Sequence, residues 1–169
     1  AMAKRDGKGK KSKLITLEDY ERAAKARLPK MAWDYFRSGS DRERALARNQ
    51  RAYERWVIWY RVLVDVAERE LSTTVLGTPV RSPVLVAPTA YHRLAHPDGE
   101  LATARGAAQA GTIYVASTLA TTRLEDVAEA TDAPKWFQLY VHKDRAFTQS
   151  LVERAEAAGH VASALAAWS

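Results

Sequence analysis

The run Trp136-Phe-Gln-Leu-Tyr-Val-His-Lys-Asp-Arg145 places two hydrogen-bonding side chains, Gln138 and Tyr140, two residues apart in an apolar stretch. Alternate side chains of a strand share a face, so Trp136, Gln138 and Tyr140 point one way and Phe137, Leu139 and Val141 the other. A buried amide without a partner costs about 1–3 kcal/mol. Gln138 must therefore meet either the polar edge of a flat heterocycle or a group on a neighbouring strand, and this strand alone leaves both open. Two more apolar runs turn polar at the same end. Val84–Ala87 is followed by Pro88, Thr89 and Ala90, and Thr112–Ser117 closes on Ser117 and Thr118. Polar groups converging over an apolar floor are the form of a small-molecule pocket. Neither a Gly-x-Gly-x-x-Gly nor a phosphate-loop pattern is present, so a Rossmann or P-loop nucleotide site lacks support. There is no His-Glu-x-x-His or comparable spacing, and no metal site is expected. The chain has no cysteine, which excludes disulfides, thiolate metal sites and cysteine nucleophiles.

The elements that must position these residues follow from periodicity and capping. Thr16-x-x-Asp19 resembles a capping box, and Leu17, Tyr20, Ala24 and Leu28 keep helical spacing after it. Pro29 ends that helix and opens a second around Lys30–Arg37, stopped by Ser38-Gly39. A third helix is expected over Asp41 to about Arg55. Residues 57–64 read as extended, and a short hairpin turns at Gly77-Thr78. From Pro83 the rhythm changes. Strands over 84–87, 112–117, 135–141 and 161–167 alternate with helices over 97–110, 122–130 and from Asp144 to Gly159. The second of these helices is expected to be capped by Thr122-x-x-Glu125, and the third by Asp144. This alternation is the mark of parallel βαβ units.

The expected fold is α/β: N-terminal helices followed by the first four βα units of a (β/α)8 TIM barrel, an incomplete barrel, since a whole one needs about 250 residues. Three segments are expected: a basic, disordered arm over 1–13, helices and hairpin over 14–80, and the partial barrel over 81–169. The net charge of +6 sits mostly in the arm, where Lys4, Arg5, Lys8, Lys10, Lys11 and Lys13 face only Asp6. The body of the chain is thus nearly neutral. The arm reads as a solvated tail and not as a nucleic-acid-binding module, because it lacks interleaved aromatics. No apolar run approaches the roughly 18–20 residues of a membrane span. Cytoplasm is the default expectation.

In this order and spacing, LPKMAWDYFRSG, LSTTVLGTPVRSPVLVAPTA, HPDGELATARGAAQAGT and WFQLYVHKDR resemble the FMN-dependent α-hydroxy-acid oxidase/dehydrogenase family, which includes glycolate oxidase, lactate oxidase and mandelate dehydrogenase. The similarity runs from about Leu17 to Gly159. It implies a TIM barrel preceded by helices, bound FMN, and oxidation of a small 2-hydroxy acid to a 2-keto acid. Carried over by position, it places the backbone of Pro88, Thr89 and Ala90 against the flavin ring. It assigns Ser117 and Gln138 to the ring's polar edges. Tyr140 is implied as the catalytic residue over the substrate's reacting carbon, and Tyr35 as a partner of the substrate carboxylate. Leu119 stands in the substrate pocket where many relatives have an aromatic residue, implying a roomier or differently shaped pocket.

Two further departures stand out. Trp59-Tyr60-Arg61 replaces the family's Arg-Pro-Arg. After AEAAG, the chain reads HVASALAAWS, so Ala166 and Trp168 fall where the family's Thr and Asp stand, and VASALAAW suits a helix as well as a strand. The resemblance assigns the flavin-facing lysine, the histidine base, the carboxylate-binding arginine and the phosphate loops to later strands. The expectation is therefore a truncated N-terminal half, inactive by itself. The alternative is a non-catalytic half-barrel that forms a homo-oligomer or pairs with a separate C-terminal half. Of the histidines, His96 is expected to be structural, His92 is the one candidate substitute base, and His142 and His160 are expected at the surface.

Overall fold

A computed structural model describes residues 14–166; the basic arm over 1–13 and Trp168 lie outside the described residues. The chain divides into two compact units, residues up to Val64 and from Asp65 onward.

The first unit holds α1 (Leu17–Lys25), α2 (Lys30–Arg37) and α3 (Arg44–Ala52), which runs into a 3-10 turn at Tyr53–Arg55. Thr16 forms a full capping box: its hydroxyl accepts from the Asp19 N–H at 3.2 Å, and the Asp19 carboxylate accepts from the Thr16 N–H at 3.0 Å. Arg37 on α2 pairs with Glu21 on α1 at 2.6 Å. The third helix is shorter than its periodicity suggested, because Asp41 and Glu43 take left-handed backbone angles (φ 51° and 54°). Residues 57–64, expected as extended, form no strand. An apolar stretch becomes a strand only where a neighbour takes up its N–H and C=O groups, and no described residue does so here.

The second unit begins with the hairpin of β1 (Thr73–Val75) and β2 (Thr78–Val80), antiparallel with Thr73 opposite Val80. It continues through α4 (Gly99–Ala110), β3 (Tyr114–Ser117), α5 (Leu124–Glu129), β4 (Lys135–Tyr140), α6 (Arg145–Ala157) and β5 (Ala162–Ala166). Strands β3, β4 and β5 are parallel and adjacent in that order, with Ser117 opposite Gln138 and Gln138 opposite Ala164. The segment at 162–166, which suited helix or strand by sequence, is a strand because β4 offers it a ladder. The expected strand over 84–87 shrinks to one bridge, Val86 beside Tyr114, with Val86 N–H donating to Ile113 O at 3.0 Å and Val115 N–H to Val86 O at 3.1 Å. Prolines at 83 and 88 bracket it and lack the N–H that would extend the ladder. The result is α/β with an open parallel sheet.

Both faces of β3 and β4 are covered, as central parallel strands require. On the helix side Tyr114, Ala116, Phe137 and Leu139 pack with Ala104 and Ala107 of α4, Leu124 and Val127 of α5, and Leu151 and Ala155 of α6. On the other side Ile113, Val115 and Trp136 pack with Val80, so the hairpin floors the interior face. The alternation read in β4 thus places Phe137 and Leu139 toward the helices and Trp136 toward the interior. Gly111 ends α4 at φ 68°, where a Cβ would run into the Arg81 side chain. Asp144 caps α6, accepting from the Ala146 and Phe147 N–H groups at 2.9 and 3.1 Å. Arg154 of α6 grips Glu125 of α5 with two bonds of 2.8 and 3.1 Å.

His160 departs from the surface position expected of it. It is buried, its Nδ1 bonds the Ala155 carbonyl at 3.2 Å, and its ring meets Phe137 edge-on. Following Gly159, the chain must dive directly into β5, which carries His160 under the sheet. Burial is the main cause of a pKa held below the usual 6.5; the Ala155 bond opposes it and the nearby Lys135 charge adds to it.

Two outcomes are expected. Phe137→Ala costs about 3–5 kcal/mol in urea unfolding, whereas exposed Val161→Ala costs about 0.5 kcal/mol or less. The neutral His160 also sets a pH dependence. Its contribution is fully present above the unfolded value of 6.5 and is lost as pH falls below it, because the unfolded chain takes the proton first. His160→Gln should flatten the urea midpoint across that window; an unchanged slope would show that His160 does not set it.

Candidate functional site

The C-terminal ends of the parallel strands carry the polar groups. Ser117 and Gln138 are both buried, and the Ser117 hydroxyl donates to Gln138 Oε1 at 3.1 Å. Ser117 Oγ also accepts from the Leu119 N–H at 3.1 Å, which bends the chain out of β3. Thr118 ties the next step: its hydroxyl donates to the Gln138 carbonyl at 2.5 Å and accepts from the Tyr140 N–H at 3.0 Å. Ser117 and Thr118 therefore fix the side chain of Gln138 and the backbone of Tyr140 together.

The amide of Gln138 is half satisfied. Its Oε1 has Ser117, while the buried Nε2 has no hydrogen-bond partner among the described residues. Trp136 Nε1, two residues earlier, is in the same state. Buried polar atoms in folded proteins are nearly always paired, so an orphaned donor at a strand end has room for an acceptor from outside the chain.

Thr89 follows the single bridge of its segment to β3. Val86 lies beside Tyr114, Ser117 is three residues beyond Tyr114, and Thr89 is three beyond Val86. The turn that follows is held to the same strand end, because the Tyr91 N–H donates to the Leu119 carbonyl at 3.1 Å. Ser117 and Gln138 are thus paired across β3 and β4, and the chain from Val86 to Tyr91 is tied to β3 at Tyr114 and to the Leu119 carbonyl. Tyr140 is half-buried one further alternation along β4, and Leu119 is half-buried too. Tyr35 belongs to the first unit, on α2, and is partly exposed at 48%.

The histidines sort differently. His92 does not reach the interior face. Its Nδ1 lies 3.0 Å from the Thr103 hydroxyl of α4 and its ring lies edge-on to Tyr114, on the helix side of the sheet. The expectation of a substitute base there is corrected: the 3-10 turn at His92–Leu94 rolls the ring onto α4. His96 accepts from the Asp98 N–H at 3.2 Å and is structural, as expected. His142 is half-buried against Phe147.

One functional group escaped the sequence reading. Glu100, taken only as a helix-start acid, is fully buried at 0% exposure. It accepts from the Thr121 N–H at 2.7 Å and the Thr122 hydroxyl at 2.7 Å. Burial alone would raise its pKa, yet these bonds outweigh it and hold the carboxyl at about 2. The signal was present, since Glu100 shares a helical face with the apolar positions Ala104 and Ala107. Thr122, expected to cap α5, gives its hydroxyl to this carboxylate instead, and Arg123 becomes the N-cap without a side-chain bond.

Parallel βα units with polar groups at their strand ends are the arrangement of α/β barrels, which place their sites there. The profile of the family described as FMN-dependent dehydrogenase matches residues 24–167. The chain belongs to this family, which is FMN-dependent and oxidises 2-hydroxy acids. It is similar to L-lactate oxidase of Nostoc sp., 50% identical with 89% of this chain and 42% of that protein covered. Against glycolate oxidase 1 of Zea mays the identity is 47%, covering 90% of this chain and 41% of the relative. A solved active chimera of (S)-mandelate dehydrogenase superposes with a TM-score of 0.86 and 38% identity, covering 90% and 43% of the two chains. A mandelate oxidase structure gives 0.83 and 40%, covering 89% and 45%. The chain thus spans less than half the length of these relatives.

Thr118→Val, which keeps the shape and removes the hydroxyl, is expected to cost about 1–3 kcal/mol of stability and to speed hydrogen exchange at the Tyr140 amide. Unchanged exchange there would show that the Thr118 bond does not hold β4.

Proposed function

We propose that this chain forms the flavin-facing part of an enzyme that oxidises a small 2-hydroxy acid to a 2-keto acid. The observation that carries this reading is the buried Gln138 amide, with its oxygen held by Ser117 and its Nε2 lacking a partner among the described residues. A flavin ring edge offers acceptors that suit this donor, and Ser117 and Gln138 stand directly opposite each other at the strand ends. Bound FMN supplies the two-electron acceptor for the hydride equivalent leaving the hydroxyl-bearing carbon.

The chain's own residues bind and orient. Ser117 and Gln138 hold the polar edges of the ring, and the backbone of Pro88, Thr89 and Ala90 packs against it. Tyr140 directs its hydroxyl to the substrate's hydroxyl, and Leu119 shapes the pocket around the side chain of the acid. Oxidation also needs a group that accepts the hydroxyl proton within hydrogen-bond reach. The described histidines are committed to α4, its start, Phe147 and the sheet underside, so the base is assigned to a group outside residues 14–166.

The second reading is a non-catalytic half-barrel that self-associates or pairs with a complementary half. The observation favouring it is β5, which pairs with β4 on one side while Leu165 is 71% exposed. An open strand edge beside apolar surface favours association. Size-exclusion chromatography across a concentration series separates the two, since a colourless concentration-dependent oligomer supports this one.

In an FMN titration followed by flavin fluorescence, the chain is expected to bind, and Gln138→Leu to weaken binding about 10–100-fold, as expected for losing one buried bond to the ring. Equal affinity in the variant would remove Gln138 from the site. Absence of flavin binding by the unmodified chain would overturn this assignment.

A further inference from the structure

Glu100 gathers more donors than a helix start requires. The His92 N–H reaches it at 3.3 Å, the Thr121 N–H at 2.7 Å, the Thr121 hydroxyl at 2.8 Å and the Thr122 hydroxyl at 2.7 Å. None of these donors is a cation. They come from two turns, the one after Val86 and the one after β3. The same turns bond each other directly: the Tyr91 N–H donates to the Leu119 carbonyl at 3.1 Å, and the Arg93 N–H to the Thr121 hydroxyl at 3.2 Å. Between them Tyr91 sits at φ 58°, a left-handed conformation unfavourable for a bulky side chain. Such a residue persists only where its surroundings fix it on both sides. Here the fixing bonds are its own N–H to Leu119 and the next N–H, of His92, to Glu100. Gly99 lets the turn lie directly on the start of α4: a Cβ there would come 2.8 Å from Arg93 Cγ.

We propose that Glu100 is a positioning residue for the cofactor mouth: its buried carboxylate latches the 88–92 turn to the 119–122 turn, and so fixes Pro88, Thr89 and Ala90 relative to Leu119. Its functional meaning rests on the flavin reading above, but its geometry does not. A carboxylate suits the task because both oxygens accept and neither donates, so two backbone N–H groups and two hydroxyls can converge on one point. An amide at this position keeps one accepting oxygen and loses the other. The latch lies on the helix side of the sheet, so it acts through the turns and touches neither ring nor substrate.

The test compares the full 169-residue chain with Glu100→Ala, Glu100→Gln and Val127→Ala. Val127 is fully buried among the helix-facing apolar residues, and its truncation lowers stability without touching either turn. Hydrogen exchange is read at the Tyr91, His92 and Thr121 amides, and FMN affinity by fluorescence titration. Glu100→Ala is expected to speed exchange at these amides by about tenfold or more relative to Val127→Ala, as loss of a charge-assisted bond implies. Glu100→Gln should recover most of the protection. FMN affinity should fall by a similar factor in the alanine variant and by less in the glutamine variant. Exchange no faster in Glu100→Ala than in Val127→Ala overturns the latch, and so does faster exchange with unchanged FMN affinity. If the unmodified chain binds no FMN, the flavin reading falls, and the exchange comparison alone decides whether Glu100 holds the turns. Should Glu100→Ala not fold, Thr122→Val removes a single donor from the same carboxylate. It must then speed exchange at the Thr121 amide beyond Val127→Ala for the latch to stand.

Discussion

The parallel register of β3 and β4 is the constraint on which the rest depends. A central parallel strand such as β4 has no face to give to water, so each alternate side chain must find a dry partner. Phe137 and Leu139 find theirs among α4, α5 and α6, and Trp136 finds Ile113, Val115 and the hairpin floor. Gln138 cannot be satisfied that way. Its amide has to be hydrogen-bonded, and the register that sets Ser117 opposite it supplies one bond and no more. The same pairing that closes the core on the helix side therefore leaves a directed, dry donor on the interior side. Slipping the ladder by one residue would exchange the two faces, bury the amide among the helices and leave Phe137 in the interior.

Much of this was legible in the sequence because it rests on period and caps. Thr16-x-x-Asp19, Asp144 and the period-two pattern of Trp136 to Val141 each name a local geometry that the structure contains. What could not be read depends on partners distant in sequence. The run at 57–64 has strand-like composition but no neighbour to bond. The stretch at 162–166 suits a helix by its alanines and becomes a strand because β4 lies beside it. Val84–Ala87 carries strand residues, yet its flanking prolines leave a single bridge. Thr122 has the spacing of a cap, but a buried carboxylate more than twenty residues away competes for the same hydroxyl and wins, because an ionised acceptor in a dry site makes the stronger bond.

The histidines show the same limit from another side. Sequence position places His92 in a loop near the mouth and His160 before a strand, both suggestive of exposure. In each case the deciding term is the apolar ring surface: His92 lies against Tyr114 and His160 against Phe137. An imidazole is small enough to finish a layer of the core while one nitrogen keeps a bond, to Thr103 in the first case and Ala155 in the second. Neither is free for proton transfer at the interior face.

The backbone of Leu119 is fixed on both sides. Its N–H is held by the Ser117 hydroxyl and its carbonyl by the Tyr91 N–H. Both bonds involve main chain at Leu119, so neither depends on which side chain that residue carries. Glu100, which accepts from the Thr121 N–H, ties the same loop from the helix side of the sheet. The path of the chain past Leu119 is thus set by main-chain bonds and by Glu100, independently of the Leu119 side chain.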